Sequence, residues 1–357
     1  MKAQAPLRIG LDATYALDRE PTGVAVYSRE ILAGVAQLCA AGQLPPAVGP
    51  VRAYLRPHRL KASFRTGAQL PPHVTRRLLT DAWAPGVGLF HGLNQRLPAH
   101  KRQRATVTFH DLFVMTGEYS TPEFRRRFTL LARQAAERAD LIITVSHFTA
   151  AQVRDLLGVA PARIRVIYHG VHAPTEVAPL SGRQPWLLHV GALQSRKNVL
   201  RLIEAFEQTP PGWRLKLAGG AGYGSEAILD RIAQSPRVGE IDVLGYVSRA
   251  ELESLYARSS VLAFPSLDEG FGIPVLEAMA YGLPVVTSSR SATVEVAGEA
   301  AVLADPASVD SIAAGLTRVM EDVGLRQTLQ KAGEARAAAF PWTRAVAETA
   351  AVYRELF

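Results

Sequence analysis

Short runs of aliphatic and β-branched residues alternate along this chain with longer segments in which apolar residues recur every three or four positions. The short runs predict buried β-strands, and the longer segments predict amphipathic helices. Strands that alternate with helices are typical of a parallel sheet covered by helices on both faces. Because the alternation runs through the chain twice, the predicted fold class is α/β, with two doubly wound Rossmann-like domains facing a central cleft.

The predicted elements divide between the two halves of the chain. Strands of the first half are expected at 7–11, 51–55, 88–91, 106–109, 141–145 and 165–168. Strands of the second half are expected at 186–190, 214–218, 242–244, 261–264, 285–287 and 301–303. Helices are expected at 23–40, 122–138, 148–157, 198–208, 225–233, 249–258 and 274–281, and three more helical stretches close the chain.

A segment rich in Pro, Ala and polar residues, 171–184, has no periodicity and predicts a connection between domains. We therefore assign 1–172 to an N-terminal domain, 173–184 to the linker and 185–340 to a C-terminal domain. A final helix in 341–357 could pack back on the N-terminal domain. The length of 357 residues agrees with two domains, because one hydrophobic core rarely serves a chain of this size.

Charge is distributed unevenly along the chain. The net charge is +8, but residues 1–180 hold 23 Lys and Arg against 12 Asp and Glu, whereas residues 181–357 hold 17 against 20. A basic first half is compatible with a solvated face, an anionic acceptor or an acidic lipid surface. Nucleic acid is disfavoured, because few aromatic residues are interleaved with the basic ones. The basic groups are Arg56, Arg59 and Lys61, then Lys101, Arg102 and Arg104, then Arg125, Arg126 and Arg127.

The sequence shows no apolar run long enough to cross a bilayer and no secretory signal at its start. We therefore expect a cytoplasmic protein, for which the inner face of the cytoplasmic membrane is a further location.

The segment LDEGFGIPVLEAMA, 267–280, follows a predicted strand and contains a glycine-bearing turn before a helix. The N–H groups at a helix start, aided by the helix dipole, can hold an anion such as a diphosphate. Glu269 and Glu277 lie on either side of this turn, where carboxylates could accept hydrogen bonds from sugar or ribose hydroxyls. The alternative is that Glu269 caps the turn and Glu277 is a solvated helix residue.

A second segment, HVGALQSRKN at 189–198, places Arg196 and Lys197 after a predicted strand of the same sheet. An adjacent Arg and Lys could neutralise a diphosphate through bidentate bonds and a point charge. Alone, a basic pair before a helix would indicate an ordinary solvated loop. The 267–280 turn, predicted in the same sheet, favours an anion-binding site instead.

Taken together, these motifs resemble the retaining glycosyltransferases of family 4, which have the GT-B fold. Within the family the chain is similar to bacterial surface-polysaccharide mannosyltransferases, through FHDL and the RKN loop. The motifs that carry the resemblance are PTGVAVYSREI (21–31), FHDL (109–112), VSHFTAAQV (145–153), VIYHGV (166–171), VGALQSRKN (190–198), the stretch from LGYVSRAEL to GLPVVTS (244–288) and VEVAGEAAVLADP (294–306).

The resemblance implies a role for each matching residue. Glu277 would bind the donor ribose, Arg196 and Lys197 the pyrophosphate, and Glu269 the transferred sugar near the reaction centre. His110 would face them from the other domain, although a histidine satisfied at a strand end is the alternative.

The resemblance also implies backbone contacts with the donor. Gly23 would start the first helix close to the donor phosphates, and Tyr246 and Val247 would meet the nucleobase. Phe271 and Gly272 would add N–H contacts.

The sequence departs from this family pattern at two places. Ala25 and Val26 stand where Gly and Arg are frequent, so the contacts of that Arg are missing or supplied elsewhere. Thr293 and Val294 stand where Leu-Pro is common, which leaves the identity of the sugar open.

No Asp-x-Asp pair occurs in the sequence, and the nine histidines show no metal-ligand spacing. We therefore expect a metal-independent reaction with no cofactor and no metal site, and the resemblance implies that the transfer is retaining. The substrates would be a nucleotide sugar, with GDP-mannose preferred over UDP-hexoses, and a saccharide or lipid-linked acceptor. A sugar-nucleotide epimerase, a hydrolase and a basic nucleic-acid-binding protein remain alternatives. The sequence does not fix the acceptor, the linkage or the oligomeric state.

Overall fold

The computed structural model describes residues 8–18, 22–44, 49–65, 70–80, 84, 86–99 and 103–357, without the side chains of 62–65. The chain divides into two compact units. The first comprises Met1–Met115, Pro122–Gly170 and Trp342–Phe357, and the second comprises Thr116–Thr121 and Val171–Pro341.

Within its described residues, the first unit contains a seven-stranded parallel sheet with the order β3-β2-β1-β4-β5-β6-β7. Its strands are β1 (Ile9–Asp12), β2 (Val51–Leu55), β3 (Val74–Leu78), β4 (Leu89–Gly92), β5 (Arg104–Phe109), β6 (Leu141–Thr144) and β7 (Ile164–Val166). The helices of this part of the chain are α1 (Gly23–Ala40), α2 (Pro57–Arg65), α3 (Phe113–Thr116), α4 (Pro122–Arg138) and α5 (His147–Leu157).

The second unit contains a six-stranded parallel sheet with the order β10-β9-β8-β11-β12-β13. Its strands are β8 (Trp186–Val190), β9 (Arg214–Ala218), β10 (Ile241–Gly245), β11 (Val261–Phe264), β12 (Val285–Ser288) and β13 (Val302–Ala304). The remaining helices are α6 (Val199–Glu207), α7 (Ser225–Ala233), α8 (Arg249–Arg258), α9 (Ile273–Ala280), α10 (Ala292–Ala297), α11 (Val309–Glu321), α12 (Val323–Ala338) and α13 (Trp342–Leu356). Two parallel-sheet α/β domains are the fold class that the sequence predicts.

The predicted linker, 173–184, belongs to the second unit in the structure. Arg183 holds it there, because its guanidinium donates hydrogen bonds to the carbonyl oxygens of Tyr256, Ser259 and Tyr281 at 2.9, 3.0 and 2.6 Å. Burial lowers the pKa of Arg183 to about 10, which still leaves it charged at neutral pH.

The last helix, α13, belongs to the first unit. Its apolar face contributes Trp342, Val346 and Tyr353 to the same core as Ile31 and Val35 of α1. The first unit is therefore completed only by the end of the chain.

Among the described residues, no helix combines the length and the apolar character that a bilayer crossing requires. Leu7 of the first predicted strand lies outside the described residues, as do Lys101 and Arg102 of the basic groups and Pro21 of the PTGVAVYSREI motif.

Candidate functional site

Two loops of the second unit leave its sheet at the same edge. β8 and β11 are parallel neighbours, paired at Leu187 with Val261, so the loops that follow them start side by side. The backbone N–H of Leu267 donates to the carbonyl of Arg196 at 2.9 Å and joins the two loops directly. The segments 189–198 and 267–280, singled out by their sequence, are thus in contact.

A buried ion cluster forms where these loops meet. Lys197 Nζ lies 2.6 Å from Glu269 Oε1, and Arg196 Nη1 lies 3.0 Å from Glu269 Oε2. Arg196 Nη1 also donates to the carbonyl oxygen of Asp268 at 2.5 Å. All three charged side chains are less than 10% exposed. Two cations thus meet the Glu269 carboxylate in a desolvated place, and the buried Asp268 precedes Glu269 in the chain.

The cations keep Glu269 ionised. Burial alone would raise the pKa of Glu269, but the charges of Arg196 and Lys197 and their hydrogen bonds outweigh it and lower the pKa to about 2. At neutral pH this carboxylate therefore accepts hydrogen bonds and has no proton to give.

Local backbone geometry holds the cationic pair in place. Asn198 adopts the left-handed conformation, with φ of 61°, and its side-chain amide donates to the carbonyls of Pro265 and Pro306 at 3.0 and 2.7 Å. Gly191, with φ of 143°, lets the stem of Lys197 approach, because a Cβ there would lie 3.1 Å from Lys197 Cε. The ammonium group of Lys197 lies 4.6 Å from the ring centre of Phe264, a cation–π contact.

The turn after Glu269 leads into helix α9. Gly272 precedes the helix with φ of 94°, and a Cβ there would lie 3.0 Å from Thr293 Cγ2, so glycine is required. Phe271 packs its buried ring against Phe340. The helix start, with its positive dipole end, therefore lies three residues from Glu269 in a turn fixed by packing.

Glu277, one turn into α9, is not a solvated helix residue. Its Oε1 accepts a hydrogen bond from Arg249 Nη1 at 2.5 Å, and its Oε2 accepts one from the hydroxyl of Tyr256 at 3.0 Å. The side chain is 12% exposed. Both donors lie on α8, whose first turn is fixed by reciprocal hydrogen bonds between Ser248 and Glu251.

Tyr246 and Val247 form the short connection between β10 and α8. The side chain of Tyr246 is 47% exposed, and Val247 is partly buried. The connection ends at Ser248, the N-cap of the helix that carries Arg249.

His110 lies in the first unit, directly after β5, and is buried. Its Nε2 lies 2.8 Å from the carbonyl oxygen of Leu93, which can only accept, so Nε2 carries the proton. Its Nδ1 lies 3.4 Å from His169 Nε2, and the two rings stack at 5.3 Å. Burial lowers the pKa of His110 to about 4, although the bond to Leu93 opposes this, so the ring is neutral.

Gly23 is the first residue of α1, and the preceding Thr22 makes no side-chain capping bond. Of the residues that depart from the family pattern, Ala25 is fully buried and Val26 packs against the first core. Thr293 donates to the carbonyls of Ser288 and Arg290 and contacts the Gly272 turn, so it supports that turn.

The structure therefore brings Arg196, Lys197 and Glu269 into one cluster, whereas Glu277 is paired with Arg249. Sequence reasoning missed Arg249, Tyr256 and Asn198. An Asn in a loop tolerates positive φ, which was a signal for Asn198. No such sequence signal pointed to Arg249, because 28 residues separate it from Glu277.

Among the described residues, no group of three or more His, Cys, Asp or Glu side chains is placed to hold a metal ion. The metal independence of the reaction stays a prediction.

Two family profiles match the chain. The profile described as "Glycosyl transferases group 1" matches residues 175–336, and the profile described as "Glycosyltransferase Family 4" matches residues 24–173. The O-antigen chain mannosyltransferase B of Escherichia coli is 32% identical over 284 residues, covering 75% of this chain and 74% of that protein. A glycogen synthase of Mycobacterium tuberculosis is 29% identical over 314 residues, covering 82% of this chain and 73% of that protein.

Solved structures share the fold over the whole chain. Sucrose-phosphate synthase from Thermosynechococcus elongatus superimposes with a TM-score of 0.80 at 22% identity, covering 98% of this chain and 99% of that one. Anabaena HepE, solved in complex with UDP and glucose, superimposes with a TM-score of 0.73 at 18% identity, with coverage of 98% and 99%.

Proposed function

This chain belongs to glycosyltransferase family 4 and has the GT-B fold, and on that premise we propose that it is a retaining, metal-independent hexosyltransferase. The donor is a nucleoside diphosphate sugar, with GDP-mannose preferred, and the acceptor is a saccharide or a lipid-linked saccharide. The product belongs to a cell-surface polysaccharide or glycolipid.

The observation that carries the proposal is the buried cluster of Arg196, Lys197 and Glu269 beside the start of α9. Its two cationic side chains and the helix dipole both favour a diphosphate. Since the cluster is desolvated, each charge acts on the leaving group with little screening by water.

In the proposed reaction, the bond between the anomeric carbon and the β-phosphate oxygen breaks, and the acceptor oxygen bonds to the same face of that carbon. The proton of the acceptor hydroxyl passes to the departing phosphate oxygen, so no separate base is needed. Arg196 and Lys197 stabilise the negative charge that develops on the phosphate. Glu269, being ionised, accepts hydrogen bonds from hydroxyls of the transferred sugar. In this scheme His110 takes part in the reaction as an uncharged imidazole.

The preference for mannose is supported by the named activity of the Escherichia coli relative. The glycogen synthase relative makes a glucosyl donor the second candidate. Both relatives build polysaccharides by their names, which supports a saccharide acceptor.

A membrane-side location is supported by the surface of α4. Leu130 is 57% exposed, and the helical neighbours Arg126, Arg127 and Arg133 around it are also exposed. An apolar side chain within a ring of arginines suits the boundary between acidic lipid headgroups and acyl chains. We propose that the enzyme works at the inner face of the cytoplasmic membrane through this surface.

Product analysis with a panel of GDP-, UDP-, ADP- and dTDP-sugars tests the function. The expected result is transfer of mannose from GDP-mannose with retained anomeric configuration, undiminished by EDTA. Epimerised donor or free sugar as the main product would contradict transfer, and a strict requirement for Mg²⁺ or Mn²⁺ would contradict the role given to the cations.

A further inference from the structure

Arg249 contacts the carboxylate proposed to bind the donor ribose. Its Nη1 donates to Glu277 Oε1, while its Nε donates to Glu253 Oε1 at 2.7 Å, one helical turn further along α8. Glu253 and Glu277 thus hold the guanidinium from two sides. The Arg249 side chain is 43% exposed, whereas that of Glu277 is 12% exposed, so the network lies at the rim of the site.

The second oxygen of Glu277 is fixed by a neutral donor. Tyr256 is fully buried, its ring stacks on Tyr281 at 5.5 Å, and its hydroxyl donates to Glu277 Oε2. Burial and the nearby Glu277 charge raise the pKa of Tyr256 well above its usual value, so the hydroxyl keeps its proton.

The number of hydrogen-bond acceptor positions on Glu277 shows how many remain for a ligand. An ionised carboxylate has about four acceptor positions, two on each oxygen. Arg249 uses one position on Oε1, and Tyr256 uses one on Oε2. One position is left on each oxygen, and a vicinal diol supplies two hydroxyl donors at the matching spacing.

We propose that Arg249 is a positioning residue for donor recognition: together with Tyr256 it orients the Glu277 carboxylate so that both oxygens receive the 2′- and 3′-hydroxyls of the donor ribose. This inference rests on the proposed function, because it takes Glu277 as the ribose-binding carboxylate. Arg249 acts through Glu277 and does not touch the pyrophosphate.

The test compares ligands that differ at the ribose. Affinities are measured by calorimetry for GDP, for 2′-deoxy-GDP and for inorganic pyrophosphate. The whole protein is compared with the Arg249→Met variant, which keeps an unbranched stem and removes the guanidinium. Wild type is expected to favour GDP over 2′-deoxy-GDP by about tenfold, the loss of one hydrogen bond to a charged acceptor. In Arg249→Met this ratio is expected to fall to about threefold or less, while the affinity for pyrophosphate stays unchanged.

Three further variants make the result specific. Arg258→Met makes the same change at the other end of α8, where the guanidinium covers Trp186, and is expected to keep the wild-type ratio. Arg249→Lys retains a charge without the fork and should recover part of the discrimination. In a Glu277→Gln background, Arg249→Met should have no further effect on the ratio, since the residue it positions is gone.

The outcomes separate this inference from the proposed function. Undiminished ribose discrimination in a folded Arg249→Met variant would overturn the role of Arg249 alone, and so would an equal loss of affinity for all three ligands. If wild type binds neither GDP nor 2′-deoxy-GDP, the guanosine donor of the proposed function fails and this inference fails with it. Thermal melting without ligand confirms that each variant is folded.

Discussion

Lys197 is the side chain on which the proposed leaving-group chemistry most directly depends. Its ammonium group is 2.6 Å from Glu269 and almost completely buried, so its removal takes a desolvated charge from the site. In Lys197→Met, which keeps most of the stem beside Gly191, kcat is expected to fall roughly 100- to 1,000-fold. Steady-state transfer from the preferred donor measures this, with single-turnover rates to separate chemistry from product release.

Lys331→Met is the matched control, because Lys331 is an exposed lysine of the same unit. It should retain full activity. Undiminished transfer by a folded Lys197→Met enzyme would remove the mechanism in which the cations carry the charge of the leaving group.

Among the individual site residues, those next to a recognisable turn could be predicted from the sequence. Those that approach the turn from a different helix could not. Arg196, Lys197 and Glu269 stand next to strand ends in one predicted sheet, so their meeting followed from the parallel order of β8 and β11. Arg249 reaches Glu277 from the first turn of another helix, and its position depends on how α8 and α9 pack. No local pattern encodes that distance.

Helix α4 is the element to which the membrane proposal belongs. Replacing Arg126 and Arg127 by Gln removes two exposed charges beside Leu130, and each basic residue near an acidic surface contributes about 1 kcal/mol. Sedimentation with vesicles containing phosphatidylglycerol should therefore show roughly thirtyfold weaker binding at low salt. Vesicles of phosphatidylcholine alone should bind neither protein well.

Arg154→Gln controls for a general loss of positive charge, since Arg154 is exposed on α5 and pairs with Asp155. It should leave vesicle binding nearly unchanged. Equal binding of wild type and the double Gln variant to acidic vesicles would exclude α4 as the contact.

Helices and strands with a strong hydrophobic pattern were predicted with their correct first and last residues. Elements whose position depends on their surroundings in the fold were not. The sequence predicts α1, α4, β2 and β8 with the bounds that the structure has. It missed β3, whose sequence Val-Thr-Arg-Arg-Leu lacks a buried run because the strand lies at the sheet edge and is partly exposed. It also missed α2, a basic helix of nine residues.

At the scale of the whole molecule, α13 returns to the first unit and is joined there to β4, β5 and α1 through buried polar side chains. The hydroxyl of Tyr353 on α13 is hydrogen-bonded to His91 Nδ1 at 2.6 Å, and His91 Nε2 lies 2.8 Å from Thr108 Oγ1. Thr108 Oγ1 in turn lies 2.8 Å from the hydroxyl of Tyr27. The rings of Tyr27 and His110 then meet edge to face at 4.8 Å. Both ring nitrogens of His91 thus have hydroxyl partners in a buried place.

Buried neutral histidines predict that the protein loses stability in mild acid. Burial lowers the pKa of His110 and His189 to about 4 and that of His91 to about 3, and it lowers the pKa of His169 as well. In the unfolded chain these rings take up protons below a pH of about 6.5, whereas the folded protein does not. Stability is therefore fully present above about pH 6.5 and is lost as the pH falls towards 4.

The expected loss of stability can be given as a change in the free energy of unfolding over a range of pH. Each such histidine lowers the free energy of unfolding by about 1.4 kcal/mol per pH unit once the unfolded ring is protonated. Glu269, with its pKa lowered to about 2, adds an effect of the same sign only below about pH 4.5. Guanidinium denaturation at pH 7.5, 6 and 5 should thus show a falling midpoint above the pH range in which Glu269 contributes. His110→Asn should reduce the slope by about one proton. A midpoint that stays constant from pH 7.5 to 5 would show that these rings are not held neutral by the fold.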